Sequence, residues 1–283
     1  MNKVVVIAGP TASGKTAFGI DFALKYNGEI VSADSMQIYK GMDIGTAKAS
    51  PDEQSVVPHH MIDIVSPQED YSVSKYVNDA ALCCEDIIKR GKLPIIVGGT
   101  GLYIDSLISG RDFGDACIDN SLRDELSLKY DSIGGGAMLD ELRSFDPERA
   151  AKLAANDKKR IIRAFEVYIL SGITISEHDR ITQALPPRYE AEYHILGLDD
   201  RAALYDRINR RVDKMFDNGL IDEVQSLLTY VPKSATSMQA IGYKEIVDFL
   251  DGKYSLSETT EIIKQSSRRY AKRQITWFKK YAD

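Results

Sequence analysis

A phosphate-binding loop standing between a strand and a helix constrains this 283-residue chain more than any other feature. Residues 9–16 read Gly9-Pro10-Thr11-Ala12-Ser13-Gly14-Lys15-Thr16, a complete G-x-x-x-x-G-K-[ST] pattern. The apolar run Lys3–Ala8 ahead of it predicts a strand, and Thr16–Leu24 behind it predicts a helix with an apolar face. Gly9 and Gly14 let the backbone wrap closely around an anion. Successive N–H groups and the positive helix end cradle its oxygens, Lys15 adds a point charge, and Thr16 can hold Mg²⁺. The chain is expected to bind a di- or triphosphate.

Short β-rich runs alternating with longer helical patterns predict an α/β fold. The expected core is a parallel five-stranded sheet flanked by helices, with strands at Lys3–Ala8, Glu29–Ala33, His60–Val65, Leu93–Val97 and Tyr193–Leu198. The fifth strand is delayed by a polar, helix-favouring stretch that contains Gly134-Gly135-Gly136 and ends near Pro186-Pro187. A helical insertion into a P-loop core accounts for the delay. The expected organisation is therefore core over 1–112, insertion over 113–190, and the last strand with C-terminal helices over 191–283.

Charge adds a second constraint. The net charge is −6, yet Lys264, Arg268, Arg269, Lys272, Arg273, Lys279 and Lys280 face a single acid, Asp283, over the last 20 residues. Arg207, Arg210, Arg211 and Lys214 share one helical face beside the apolar stripe Leu204, Ile208, Val212 and Met215. Lys159, Arg160 and Arg163 share another, with Ile161, Phe165 and Ile169 expected to pack. Three basic faces in a net-acidic chain suit a polyanionic partner, against the alternative of solvated surface. No apolar run approaches the length needed to span a bilayer. The first strand is expected almost at once, so no signal peptide is expected. Cys83, Cys84 and Cys117 form no metal spacing or disulfide framework, so a reducing cytoplasm is expected.

A P-loop alone leaves kinases, ATPases and GTPases open. Asp34 ends the second strand, where side chains project into the ligand crevice, as Mg²⁺ ligand or general base. An N-cap for a following helix is its alternative role. Gly98-Gly99-Thr100-Gly101 ends the fourth strand; it brings backbone close to a ligand and presents the Thr100 hydroxyl, or is a simple turn. No strand ends in an acidic pair of the ATPase kind and no guanine-reading motif appears, so nucleotide hydrolysis loses ground. His59 and His60, far from other ligands, read as structural, holding the turn after Pro58. Trp277 and Phe278 are expected to anchor the last helix.

Taken together, GPTASGKT (9–16), SADSMQ (32–37), YKGMDIGTAK (39–48), VPHH (57–60), GGTGLY (98–103), DKKRIIRAFEVYILSG (157–172), QAIGYK (239–244) and YAKRQITWF (270–278) resemble the tRNA dimethylallyltransferases. The resemblance runs in order over nearly the whole chain and is weakest near 131–144. It implies transfer of a dimethylallyl group from its diphosphate to N6 of adenosine 37, beside the tRNA anticodon, with the P-loop holding diphosphate instead of ATP. With no cysteine after Cys117, the chain resembles the shorter bacterial form without a zinc finger.

The family pattern also implies residue roles. Asp34 would remove the N6 proton, Thr100 would bond the attacking nitrogen or a diphosphate oxygen, and Arg123 would assist the leaving group. For Arg123 a surface position in the insertion is the alternative. Diphosphate would be held by residues 9–16 and by Mg²⁺ on Thr16. The tRNA anticodon stem-loop would meet Asp34, Ser35, Met36 and Gln37, then Lys159, Arg160, Ile161, Ile162 and Arg163, then Gln239, Ala240, Ile241, Gly242, Tyr243 and Lys244. Gln37 and Gln239 would read base edges, or be ordinary surface; Arg160, Arg163 and Lys244 suit phosphates. A cytoplasmic monomer without membrane contact is expected. The rival readings are an ATP-dependent small-molecule kinase with the insertion as its lid, and a nucleotide-binding regulatory module.

Overall fold

The computed structural model describes residues 2–111, 120–198 and 200–282. Cys117, Asp283 and the expected start of the insertion lie outside them. Two compact units are present, one formed by Met1–Gly110 with Arg188–Asp283 and the other by Arg111–Pro187.

In the first unit five strands run parallel in the order β3-β2-β4-β1-β5. They are β1 (Asn2–Ala8), β2 (Gly28–Ala33), β3 (His59–His60), β4 (Leu93–Gly98) and β5 (Tyr189–Ile195). The β-branched runs Val4–Ile7 and Ile95–Val97 suit central parallel strands, which are covered on both faces and so need no polar alternation. Between the strands lie α1 (Lys15–Tyr26), α2 (Pro51–Val56), α3 (Val73–Lys89) and α4 (Gly101–Ser109). After the second unit's α5 (Asn120–Phe145), α6 (Pro147–Ala150), α7 (Lys158–Ser171) and α8 (Ile175–Ala184), the chain returns through β5. It finishes with α9 (Arg201–Asp217), α10 (Leu220–Leu228), α11 (Tyr243–Leu250) and α12 (Leu256–Phe278). The Leu204, Ile208, Val212 and Met215 stripe of α9 is buried. Ser255 and Glu258 close a capping box on α12.

Two strands differ from their expected bounds by more than one residue. β3 stops at His60 instead of running to Val65, because Met61 (φ 63°) and Asp63 (φ 54°) turn left-handed and only a bridge between Tyr39 and Val65 remains. β5 starts at Tyr189 instead of Tyr193, since its pairing with β1 begins at Asn2, and Gly197 (φ 73°) follows its end. Tyr189 and Glu190 are thus strand residues. In the second unit Leu126, Met138, Leu142, Ile161 and Phe165 form the core, while Ile169, expected to pack, is 54% exposed. No helix among the described residues is long and apolar enough to cross a membrane.

The two histidines have structural partners. His59 Nδ1 lies 2.7 Å from Val57 O, and His60 Nε2 lies 2.7 Å from Glu29 Oε2. Glu29 is 2% exposed and also accepts from Arg90 and Lys92. The Arg90 hydrogen bond, against the effect of burial, holds its carboxyl well below the usual carboxylate range. A depressed acid stabilises the fold above its ordinary titration range, and that contribution fades as pH falls below it toward the folded value. Glu29→Ala is expected to cost about 2–3 kcal/mol in urea unfolding at pH 7, less than a fully buried pair because its partners still reach water. The loss should shrink in acid; equal stability at pH 7 would refute it.

Candidate active site

The strand register brings the chemistry-bearing segments to one edge. Ala8 of β1 pairs with Gly98 of β4, and Gly98 pairs with Ala33 of β2. The phosphate loop, Gly99-Thr100 and Asp34 therefore leave the sheet side by side at its carboxyl end. The phosphate loop, Gly99 and Asp34 border a cavity of about 620 Å³, all of whose lining residues belong to the first unit.

Gly9 (φ 151°) and Gly14 (φ 87°) both adopt conformations that favour glycine, and a Cβ on Gly9 would lie 2.4 Å from Leu196 O. Lys15 Nζ donates to Pro10 O at 2.6 Å and Ser13 Oγ at 3.4 Å, leaving one N–H of the ammonium for a ligand. Burial, then the nearby Arg211 charge, pulls its pKa down to about 8, with Asp34 opposing. Arg211 reaches the same loop: its guanidinium donates to Thr11 Oγ1 at 2.6 Å and to Thr46 O at 3.2 Å. Its Nε is buried without a partner, and burial lowers its pKa while Asp34 raises it. Lys15 and Arg211, both half-buried, line the cavity with Arg273 and Lys244 against the carboxylates of Asp34 and Glu53, an excess of positive charge that an anion would balance.

Asp34 lines the cavity, and the chain after it forms a turn instead of a helix, so it has no helix to cap. Its Oδ1 accepts from the N–H groups of Met36 (2.9 Å) and Gln37 (3.4 Å), which shapes the turn after β2 and fixes the carboxylate. Thr100 Oγ1 accepts from Ser35 N–H at 3.1 Å, and the cavity wall ends at Gly99, one residue short of it. Gln37, expected to read a base edge or to be ordinary surface, lines the cavity, and its side-chain amide bonds Ser32 Oγ, Thr46 O and Ala47 O. Its amide ties the Asp34 turn to residues 45–47, which form another wall. That wall is held from behind by Glu223, whose carboxylate accepts from the N–H groups of Asp43, Ile44 and Gly45 and from Tyr243 Oη.

The C-terminal segments divide. Gln239, Ala240, Ile241 and Lys244 line the cavity, whereas Gly242 and Tyr243 are buried, Tyr243 within an apolar cluster and with its hydroxyl donating to Glu223. In the second unit Ile161 and Ile162 are 0% and 6% exposed in the core, so their side chains are closed to RNA. Lys159 and Arg160 are exposed. Arg123 and Arg163 both pair with the fully buried Glu166, at 2.9 Å. The basic face on α9 also splits: Arg210 pairs with Asp206, while Arg207 donates to Ala12 O at 3.0 Å.

Several site residues carry no sequence signal of their own. Arg211 belonged to a basic stripe, and its place on the side nearest the apolar stripe was the only hint that it turns inward. Tyr270, Arg273 and Gln274, within the YAKRQITWF segment, line the cavity from α12. Burial, and Asp34 after it, pushes the Tyr270 hydroxyl up to about 12, while bonds to Thr100 and Gln274 oppose. Gly98 and Gly99 line the cavity, and the glycines after β4 also meet a spatial demand from α12. A Cβ would lie 2.2 Å from Gln274 Nε2 at Gly99 and 2.4 Å from the Trp277 ring at Gly101. They make room for α12, whose Phe278 is fully buried.

The family model described as IPP transferase matches residues 37–281, and one described as isopentenyl transferase matches residues 2–62. The chain belongs to the IPP transferase family. A tRNA dimethylallyltransferase of Thermoanaerobacter sp. (strain X514) is 50% identical over 99% of this chain and 89% of its own length. Among solved IPP transferase structures, the full-length tRNA isopentenylpyrophosphate transferase of Bacillus halodurans aligns at 44% identity with a TM-score of 0.71, covering 98% of this chain and 87% of that one. A eukaryotic dimethylallyltransferase captured acting on tRNA aligns at 31% identity with a TM-score of 0.84, covering 99% and 70%.

Proposed function

We propose that this member of the family transfers a dimethylallyl group from dimethylallyl diphosphate to N6 of adenosine 37 in the anticodon stem-loop of tRNA. The observation that carries the reading is that Lys15 and Arg211, half-buried at the phosphate loop, line one cavity together with Asp34. Two cations suit a departing diphosphate, and a fixed carboxylate suits the acceptor's proton.

The exocyclic adenine amine is a weak nucleophile because its lone pair is delocalised into the ring. Asp34 takes its proton as the N–C bond forms, while the C–O bond to diphosphate breaks. Lys15, Arg211 and the loop amides receive the departing charge. The apolar wall of Ile208, Val212, Met215 and Ile263 suits the prenyl tail. To reach Asp34 the base leaves the anticodon-loop stack. Gln239 and Lys244, at the cavity, and Lys159 and Arg160, exposed on the second unit, are assigned to tRNA. We read that unit as the helical insertion.

Among the described residues no group of three or more His, Cys, Asp or Glu side chains is placed to hold a metal ion. The Thr16 hydroxyl lines the cavity, a donor set that fits Mg²⁺ bound mainly through phosphate oxygens. Bound there, Mg²⁺ would neutralise charge on the leaving group.

Nucleoside mass spectrometry after incubation with Mg²⁺, dimethylallyl diphosphate and unmodified tRNA tests the reading. One added C₅H₈ unit on adenosine 37 without ATP supports it; no product, with measurable ATP turnover, favours a kinase. A further expected result concerns salt. Affinity for tRNA should fall steeply with ionic strength, and Lys159→Ala should reduce the log–log salt slope by about one. A flat response in filter binding would remove these basic residues from the interface.

A further inference from the structure

The β1–β4 register ends at Ala8 and Gly98, and beyond it no ladder joins the phosphate loop to the end of β4. One side chain spans the gap. Gln274 Oε1 accepts from Thr11 N–H at 2.9 Å, and its Nε2 donates to Gly99 O at 2.9 Å. The side-chain amide thus does what a strand peptide would do, accepting from one neighbour and donating to the other. The chain of contacts continues: Thr100 N–H donates to Ala33 O, and Ser35 N–H donates to Thr100 Oγ1, one residue from Asp34.

The surroundings are built around that amide. Gln274 is 5% exposed. Gly99 has no unusual φ, so space alone demands glycine there: a Cβ would displace the Gln274 Nε2. The end of α12 is anchored by Asp105, which accepts from Trp277 Nε1 (3.0 Å), Lys280 Nζ (2.6 Å) and Tyr281 Oη (2.7 Å). We propose that Gln274 is a positioning residue, whose amide sets the spacing between the donor's diphosphate loop and the Asp34 side of the cavity. The proposal rests on the prenyl-transfer reading above.

Gln274→Met, which keeps length but removes both hydrogen bonds, tests it together with Gly99→Ala. In each variant the affinity for inorganic diphosphate, by calorimetry, should fall about tenfold, the scale of one lost buried hydrogen bond. Single-turnover transfer at saturating donor should fall about 100-fold, as expected of reacting groups misplaced by an ångström, with tRNA affinity unchanged. Adding Gly99→Ala to Gln274→Ala should cost little beyond Gln274→Ala alone, because the clash is with the missing amide. Lowered thermal stability with wild-type transfer at saturating donor, or losses that simply add, would overturn the proposal. A wild-type protein that transfers no prenyl group would overturn the function instead, leaving the clamp to be judged on diphosphate affinity and its non-additivity.

Discussion

Asp34→Asn is expected to slow single-turnover prenyl transfer by about 10²–10⁴, the usual contribution of a positioned general base. The amide is the informative replacement because it separates the two jobs of this residue. Its remaining carbonyl oxygen can still accept from the Met36 and Gln37 N–H groups, so the turn after β2 survives. What the amide cannot do is take a proton from the adenine amine. Donor and tRNA affinities should therefore stay close to wild type while the rate collapses. Asp34→Ala removes the turn's acceptor as well and should show a mixed phenotype, with weaker tRNA binding. Normal single-turnover chemistry in Asp34→Asn would remove Asp34 from the reaction.

Arg211→Ala should weaken donor binding by at least about 30-fold, from the ~2 kcal/mol lower end for truncating a hydrogen-bonded charge, Arg211 being half-buried. The guanidinium holds Thr11 Oγ1 and Thr46 O and keeps Nε unpartnered, so its removal strips both a phosphate-facing charge and the tie between loop and wall. Arg211→Lys should recover little, since an ammonium cannot span both partners with the planar fork. A pH signature accompanies the change. Lys15, pulled down to about 8 by burial and then by Arg211, loses its proton in the free protein as pH rises past that value. Diphosphate favours the charged form, so wild-type donor affinity should decline above about pH 8, with proton uptake on binding visible by calorimetry in buffers of different ionisation heat. Without Arg211 the decline should begin at higher pH. Donor affinity independent of pH between roughly 7 and 9.5 would show that Lys15 stays charged throughout.

Much of this was legible because short stretches carry it. The phosphate loop is one contiguous motif whose glycine positions and flanking periodicities encode its backbone shape. Asp34 was placed by the rule that strand ends face the crevice, and the alternating runs announced a parallel sheet. The errors cluster where a neighbour distant in sequence decides. The end of β3 depends on left-handed residues 61 and 63, with the Asp63 carboxylate held by Lys48. The start of β5 depends on which β1 residue it meets. Ile161 and Ile162 fall inside a segment assigned as a block to RNA, yet a helix turns successive residues by about 100°, so a contiguous block cannot all face one partner.

The basic residues make the same point more sharply. Arg207, Arg210, Arg211 and Lys214 are equivalent by spacing, but one grips the phosphate loop at Thr11, one bonds Ala12 O and one pairs with Asp206. Gln274 and Gly99 are 175 positions apart and explain each other only in three dimensions. Local sequence determines what depends on backbone conformation and periodicity: the glycine-bounded loop, the strands beside it and the acid at a strand's end. Tertiary structure alone decides which cations are desolvated against that loop, which glycines yield space to a helix and which amide ties the two sides of the cavity together. Burial, charge proximity and excluded volume are properties of contacts, and contacts between distant residues exist only once the chain has folded.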